Sequence, residues 1–331
     1  MNKKIVFQNT ESVVCDATDE IKISSPEDIL IQTIASVVST GTELSIWAGL
    51  ESWAPLPYTP GYGSVGTVLE VGTAVEDIKV GDVIFTHGPH QKIALAKNYA
   101  LKIPDGLDPK VAVFTRMGGV AITAVMTSDT KIGDTVAVCG LGLVGNLAAQ
   151  LFKLAGCKVI GIDVSPSKIE SAKQCGIETV IDGTSNVADK LKELTNGRGV
   201  HAFVDATGIP AVVNGAIDAI APGGECILLG TPRGEYLADM VPLLRSIHIS
   251  NTNIQFKGAH EWKFPRYRSQ TNDSQTSIEQ NNEKLLRFFA EKKLVTEPLL
   301  SHVVSPEEAP KAYEGLKNRD ENYFGVVINW D

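Results

Sequence analysis

Glycines recur at a fixed spacing in the middle of the chain. The apolar stretch TVAVC ends at Cys139, and it is followed directly by Gly140, Leu141, Gly142, Leu143, Val144 and Gly145. A strand that passes into a helix through such a turn leaves unpaired N–H groups at the helix N-terminus, where they can bind phosphate. The first glycine permits the tight turn, the second lets the backbone approach a pyrophosphate, and the third lets helix and strand pack closely. The motif therefore predicts a dinucleotide-binding site.

An acidic residue follows at the position that selects the dinucleotide. Asp163 ends the next apolar stretch, KVIGID. A carboxylate there accepts hydrogen bonds from the adenosine ribose hydroxyls and repels a 2′-phosphate, so NAD is the predicted cofactor. Lys168 is a nearby cation that could tolerate that phosphate, and NADP stays the alternative. The strand ends DATG and LLGT are expected to bring backbone to the adenine and nicotinamide ends, respectively, through Thr207, Gly208, Gly230 and Thr231.

The order of predicted strands and helices around these residues indicates an α/β fold with two domains. Residues 118–270 alternate short apolar strands with helical segments, which indicates a Rossmann domain with a doubly wound parallel sheet. Residues 1–117 are rich in strands and turns, which favours a β-barrel-type domain. The tail, 271–331, ends in a predicted strand and is expected to return to that first domain.

Composition excludes several function classes. The chain has 331 residues, 43% of them hydrophobic, and a formal net charge of -9 with no basic run, which argues against nucleic acid or a membrane surface as partner. The N-terminal stretch lacks the apolar core of a signal peptide, and no run approaches membrane-spanning length. The five cysteines are scattered, so we expect buried thiols in a cytoplasmic protein.

Several stretches carry a family resemblance: SVVSTGTELSIWAG, PGYGSVGTVLEVG, KVGDVIF and VDATG, beside the glycine motif. In this order they resemble the medium-chain dehydrogenase/reductase superfamily, in its zinc-type alcohol dehydrogenase-like branch. The resemblance covers nearly the whole chain. It implies a GroES-like catalytic domain before the Rossmann domain, a small-molecule substrate, and a homodimer or homotetramer.

The chain departs from the family pattern at the metal ligands. Zinc-dependent members carry a Cys, a His-Glu pair and a further acidic or Cys ligand, and the matching positions here hold Thr40, Tyr62, Gly63 and Arg116. A hydroxyl, a phenol, no side chain and a guanidinium cannot replace thiolate, imidazole and carboxylate around zinc. The four-cysteine structural lobe of the family is missing as well. We therefore expect an enzyme with no zinc.

Without the metal, other groups must polarise the reacting oxygen and move its proton. Thr42 matches the relay hydroxyl of the family, and the alternative is a threonine that caps a turn. Tyr62 either donates to the developing alkoxide, acting as acid or base if a cation lowers its pKa, or packs as an aromatic that closes the vacated metal hole. Arg116 is either that cation, which would also bind an anionic substrate group, or part of a surface or interdomain ion pair.

Further polar and aromatic residues are candidates for substrate binding. Each has a structural alternative, namely an ion pair, core packing or a loop cluster. They are Glu43, Trp47, Trp53, His90, Arg116, Glu261 and Trp262, with His260 as a candidate acid or base beside Thr42 and Tyr62. Flat aromatic rings stack well on sugar or cyclitol faces.

These residues lead to one main hypothesis and two alternatives. The main hypothesis is a zinc-independent, NAD-dependent oxidoreductase that interconverts a secondary alcohol and a ketone on a sugar, polyol or cyclitol. The first alternative is an NADPH-dependent quinone or enone reductase, because zinc-free relatives of this superfamily reduce activated double bonds. The second is a non-catalytic NAD-binding protein that has kept the fold.

Overall fold

The structure is a computed structural model that describes residues 1–97, 99–272, 276–320 and 323–331. The chain divides into two units. The first comprises Met1–Arg116, Asn282–Lys292 and Leu299–Asp331, and the second comprises Met117–Asn281 and Lys293–Pro298. The sequence prediction assigns all of 271–331 to the first domain, whereas in the structure the first unit resumes at Asn282 and omits 293–298.

The elements alternate as the hydrophobic pattern predicts. Within the described residues the strands are β1 Asn2–Asn9, β2 Ser12–Thr18, β3 Asp28–Val37, β4 Ser64–Val71, β5 Val83–Thr86, β6 Ile93–Lys97, β7 Ala100–Lys102, β8 Thr135–Cys139, β9 Lys158–Asp163, β10 Thr179–Asp182, β11 Val200–Asp205, β12 Ile220–Leu228, β13 Gln255–Gly258, β14 His302–Val304 and β15 Val326–Asn329. The α-helices are α1 Thr40–Trp47, α2 Pro109–Ala112, α3 Thr115–Thr127, α4 Leu143–Leu154, α5 Pro166–Gln174, α6 Val187–Leu194, α7 Pro210–Ala216, α8 Val241–His248, α9 Ile278–Ala290 and α10 Ala309–Lys317.

The second unit contains a parallel six-stranded sheet. Its strand order is β10-β9-β8-β11-β12-β13, which is the 3-2-1-4-5-6 order of a Rossmann fold. The central strands are apolar because helices cover both faces of such a sheet, and Ile162, Phe203 and Cys226 are completely buried. The predicted doubly wound sheet is confirmed. Its carboxyl ends, where dinucleotides bind in this fold, are the ends of β8, β9 and β11.

The first unit contains a seven-stranded, mainly antiparallel sheet. Its order is β14-β15-β3-β4-β5-β7, with β6 pairing β3. The C-terminal strand β15 pairs antiparallel with β3, so the predicted final strand does join this sheet. A hydrophobic core forms where α1 and α10 pack over it, and it includes Phe7, Trp47, Tyr313 and Trp330. This core and sheet hold the loop that precedes α1 and the turn that precedes β4.

The sequence prediction that no run approaches membrane-spanning length does not hold for one helical stretch. Pro109–Thr127 is long and apolar enough to cross a membrane by length and composition alone. Two-thirds of its most apolar window is buried inside the protein, as in the core helix of a folded domain. Its apolar character is therefore accounted for by packing.

Candidate active site

The predicted glycine motif forms the turn from β8 into α4. Gly140 has φ +91°, in the left-handed region that favours glycine. A Cβ placed on Gly145 would lie 1.7 Å from the carbonyl oxygen of Gly140, so only glycine lets the first turn of α4 pack here. A Cβ on Gly142, the N-cap of α4, would meet nothing within 4 Å. The first-turn N–H groups of α4 and the open space at Gly142 are what a pyrophosphate requires.

Asp163 lies at the end of β9 and supports this turn directly. Its Oδ2 accepts a 2.7 Å hydrogen bond from the backbone N–H of Leu141, and its Oδ1 accepts one of 2.9 Å from Ser165. Each carboxylate oxygen keeps a second lone pair for a ribose hydroxyl. Lys168 lies half-buried in the first turn of α5, which follows β9. The acid thus orders the glycine turn as well as facing the site.

A cavity of about 360 Å³ opens beside the turn. The residues that line it include Gly140, Asp163 and Thr207, all predicted for the cofactor, and Asn186 and Ile209, which were not predicted. Its size is in the range of small-molecule and cofactor pockets. The structure therefore brings the predicted adenosine-side residues to one cavity.

The other predicted cofactor residues lie in the loops after β11 and β12. These loops are in contact, since a Cβ on Gly230 would lie 2.4 Å from the backbone nitrogen of Gly208 and one on Gly208 would lie 2.3 Å from the Thr231 carbonyl oxygen. Sequence reasoning missed Asp205, whose Oδ1 accepts hydrogen bonds from the Thr207 N–H (2.9 Å) and hydroxyl (2.6 Å). Burial raises the pKa of Asp205. The signal was available, because this acid ends an apolar strand as Asp163 does.

In the first unit, Tyr62 lies in the turn before β4 with its phenol between two hydroxyls. The phenol oxygen is hydrogen-bonded to Ser39 Oγ, and the Thr42 hydroxyl is within hydrogen-bonding reach. Ser39 is the N-cap of α1 and Thr42 its third residue, so one helix start supplies both hydroxyls. Ser39, and not Thr42, therefore occupies the N-cap position at the start of α1.

The protonation state of Tyr62 is set by burial. Burial raises the pKa of Tyr62 above its ordinary value, and it outweighs the Arg116 charge and the two hydroxyls, which lower it. Arg116 thus acts on the pKa in the expected direction, but it does not bring the pKa of this phenol below its ordinary value. A raised pKa keeps the phenol protonated at neutral pH, so it can donate a hydrogen bond.

Arg116 is packed against the turn that carries Tyr62. It is 4% exposed, and its guanidinium carbon lies 4.7 Å from the centre of the Tyr62 ring. A Cβ on Gly63 would lie 2.5 Å from both Cβ and Cγ of Arg116, so the arginine stem occupies the space of a side chain at position 63. Arg116 is therefore not a surface residue but a cation stacked on Tyr62.

Two predicted substrate-binding residues lie instead in a buried network. Glu43 and His90 are both fully buried, and Glu43 Oε2 lies 3.1 Å from His90 Nε2. The Tyr313 hydroxyl donates to the same carboxylate oxygen. Side chains enclosed in this way cannot touch a substrate, so the structure corrects both assignments to a supporting role.

Of the two tryptophans predicted for this region, Trp47 ends α1 and lies in the core, whereas Trp53 lies in the following loop at the surface. Trp47 is 2% exposed, stacks on Phe7 at 6.0 Å and lies edge-on to Tyr313, so its predicted role in substrate binding is corrected to core packing. Trp53 is 61% exposed, and its Nε1 donates a 2.9 Å hydrogen bond to Glu51. Its ring lies edge-on to Tyr58 at 6.3 Å. Trp53 alone of this pair offers a free ring face.

The His260-Glu261-Trp262 cluster follows β13 in the second unit. His260 and Trp262 are exposed, whereas Glu261 is 4% exposed within a short 3-10 helix. The Arg266 guanidinium lies 5.7 Å from the centre of the Trp262 ring. The burial of Glu261 argues against its predicted contact with substrate, while His260 and Trp262 stay accessible candidates.

Comparison with known proteins places this geometry in a family. Residues 25–132 match the family described as "Alcohol dehydrogenase GroES-like domain", and residues 144–264 match the "Zinc-binding dehydrogenase" family. The chain is 30% identical over 256 residues to D-guloside 3-dehydrogenase of Shigella flexneri, which covers 75% of this chain and 71% of that protein. The chain belongs to the zinc-type alcohol dehydrogenase family of medium-chain dehydrogenases/reductases. The predicted GroES-like domain is confirmed, and the family is one of oxidoreductases.

Two further proteins are similar to this chain, one in sequence and one in fold. Sorbitol dehydrogenase of Bacillus subtilis is 25% identical over 283 residues, covering 72% of this chain and 80% of that protein. Galactitol-1-phosphate dehydrogenase from Escherichia coli has the same fold, with a TM-score of 0.84, 19% identity and 99% of each chain covered. The relatives matched by sequence include dehydrogenases of sugars and polyols and also alcohol dehydrogenases.

The zinc implied by the family does not fit the residues at its expected ligand positions. Tyr62 and Arg116 occupy two of these positions, stacked on each other, and the arginine stem fills the space beside Gly63. A guanidinium cannot ligate a cation, and it repels one. Across residues 1–97, 99–272, 276–320 and 323–331, no three His, Cys, Asp or Glu side chains form a group that could hold a metal ion.

The nicotinamide dinucleotide that family members bind does fit this chain. The turn at Gly140, the open space at Gly142 and the cavity beside Asp163 match a pyrophosphate and an adenosine. The contacting loops that carry Gly208 and Gly230 add backbone at the carboxyl end of the sheet. These residues would hold the cofactor in the second unit.

Proposed function

We propose that this protein is a zinc-independent, NAD-dependent dehydrogenase that interconverts a secondary alcohol and a ketone on a sugar, polyol or cyclitol. The observation that carries the proposal is the packing of Arg116 on Tyr62 where the family places metal ligands. The phenol is a protonated donor, and the guanidinium is a fixed positive charge beside it. A donor and a cation supply what a metal would supply to a carbonyl oxygen, namely polarisation and stabilisation of developing negative charge.

Three residues of the first unit would each have a separate role at the reacting oxygen. Bound NAD would supply hydride chemistry at its nicotinamide ring. Tyr62 would donate a hydrogen bond to the substrate oxygen, and the Arg116 charge would favour the alkoxide over the neutral ketone. Thr42, half-buried at the start of α1, would pass the alcohol proton onward as a relay hydroxyl.

The exposed loop favours a cyclic substrate. Trp53 presents a flat face that its hydrogen bond to Glu51 holds in place. Tyr58 lies edge-on to that ring and leaves its face open. A cyclic substrate would stack on this face of Trp53. The sugar and polyol dehydrogenases among the relatives support the same substrate class.

NAD is proposed over NADP because of Asp163. Its carboxylate faces the cavity and is held there by the Leu141 and Ser165 N–H groups. A fixed negative charge repels the 2′-phosphate of NADP. We further propose a cytoplasmic homodimer or homotetramer, for which the edge strand β13 is the candidate pairing edge.

Quinone or enone reduction with NADPH is the competing function, since the Tyr62–Arg116 pair would also stabilise an enolate. A panel assay separates the two. The protein is incubated with NAD or NADP and matched cyclic and open-chain polyols, then with NADH or NADPH and ketones, quinones and enones, while absorbance at 340 nm is followed. Oxidation of polyols with NAD is the expected result. NADPH-driven reduction of quinones or enones, with no turnover of any alcohol, would reverse the proposal, and nucleotide binding without turnover would favour a non-catalytic protein.

A further inference from the structure

The phenol of Tyr62 is the outer end of a hydrogen-bonded chain that continues into the core. The phenol donates a hydrogen bond to Ser39 Oγ, and Ser39 is only 6% exposed. The backbone N–H of Ser39 donates a 2.9 Å hydrogen bond to Glu43 Oε1, one turn further along α1. The position of the residue that holds the phenol therefore depends on a buried carboxylate.

That carboxylate is anchored from two distant parts of the chain. His90, in the loop before β6, places Nε2 at 3.1 Å from Glu43 Oε2, and Tyr313, on α10, donates its hydroxyl to the same oxygen. All three side chains are completely buried. With the Ser39 N–H, three donors face one carboxylate, which is the arrangement that satisfies a buried negative charge.

The orientation of His90 is fixed in turn by its other ring nitrogen. His90 Nδ1 lies 2.8 Å from Ser36 Oγ, which accepts a 2.8 Å hydrogen bond from Trp330 Nε1. An indole N–H can only donate, so the Ser36 hydroxyl hydrogen is available for Nδ1 of a neutral imidazole. The network then assigns the ring proton to Nε2, facing Glu43.

We propose that Ser39 is a positioning residue for Tyr62, and that Glu43, held by His90 and Tyr313, fixes Ser39 in place. The inference rests on the proposed function, in which Tyr62 donates to the substrate oxygen. In the reduction direction, hydride from the reduced cofactor adds to the carbonyl carbon, the carbonyl π bond breaks, and the developing alkoxide accepts a hydrogen bond from Tyr62 and takes its proton through Thr42. The Ser39 hydroxyl accepts the phenol hydrogen in the free protein, and it becomes a donor to the phenol oxygen when that hydrogen turns to the substrate. In this site the buried carboxylate of Glu43, and not a metal ion, thus fixes the group that acts on the substrate oxygen.

The first test observes Tyr62 directly and needs no substrate. Tyrosine labelled with carbon-13 at Cζ is incorporated, and the Tyr62 resonance is assigned by its absence in Tyr62→Phe. Ser39→Ala is expected to move this resonance by more than its line width, and Ser39→Thr, which keeps the hydroxyl, to restore it. Ser45→Ala is the matched control, because Ser45 is also buried on α1 but bonds to Glu51. An unmoved Tyr62 resonance in folded Ser39→Ala overturns the proposal.

The second test measures coupling to catalysis on a substrate found in the panel assay. We expect Ser39→Ala to lower kcat about tenfold in the wild-type background, with a smaller change in KM, and to lower it less than twofold in Tyr62→Phe. Equal losses in both backgrounds would contradict positioning through Tyr62. Full activity of Tyr62→Phe would instead contradict the proposed function, and the resonance test would still decide whether Ser39 holds the phenol.

Discussion

Replacing Gly142 by alanine separates nucleotide binding from folding. Gly142 has φ −61° and ψ −175°, which alanine adopts freely, and its Cβ would meet nothing within 4 Å. Lower entropy of the unfolded chain stabilises the variant by about 0.4–1 kcal/mol, while alanine is a poorer N-cap than glycine by a similar amount. We therefore expect the melting temperature to change by less than about 2 °C. Nothing in the free protein opposes the new methyl group.

The same methyl group would occupy the space that the pyrophosphate requires. Overpacking by one methyl typically costs about 1–3 kcal/mol, which corresponds to roughly a 5- to 150-fold weaker Kd. The assay is titration with NADH followed by its fluorescence, with melting temperatures measured on the same samples. Gly145→Ala is the contrast, because its Cβ would lie 1.7 Å from the Gly140 oxygen and should reduce both stability and binding. Unchanged NADH affinity in Gly142→Ala would refute the placement of the pyrophosphate at this turn.

The remaining predictions concern the first unit. Glu43→Ala leaves His90 and Tyr313 buried without their acceptor and should lower the free energy of unfolding by about 3–5 kcal/mol, measured by urea denaturation. Burial, aided by the Glu43 charge, raises the pKa of Tyr313 well above its ordinary value, so the unfolded chain loses this proton first. Stability should therefore be intact below about pH 10 and fall above it, and Tyr313→Phe should flatten that fall in urea titrations at several pH values. Trp53→Leu should raise KM about two- to tenfold for cyclic substrates only, and an equal rise for open-chain polyols would contradict ring stacking.

The sequence was most informative where function depends on local backbone geometry. The glycine spacing and the acid at the end of the next strand required only neighbouring residues, and the structure brings Gly140, Asp163 and Thr207 to one cavity. The doubly wound sheet was equally predictable, because short apolar strands that alternate with helices have few other arrangements. Asp205 could have been found by the same rule.

The supporting contacts of the first unit were not predictable from local pattern. Glu43 and Tyr313 are 270 residues apart in sequence, and their hydrogen bond forms only when α1 and α10 pack together. Glu43, His90 and Trp47 therefore looked like exposed candidates, although the fold buries all three. Only the small residue at Gly63 hinted that a larger side chain fills its place, and Arg116 supplies it.

Metal content and metal dependence, measured on one preparation, test the central claim most directly. The protein is purified without added metal, its zinc is quantified by inductively coupled plasma mass spectrometry, and alcohol oxidation with NAD is measured before and after dialysis against a chelator. Polarisation by Tyr62 and Arg116 predicts far less than one zinc per chain and activity that the chelator leaves unchanged. Stoichiometric zinc, with activity lost on chelation and restored by added zinc, would contradict it.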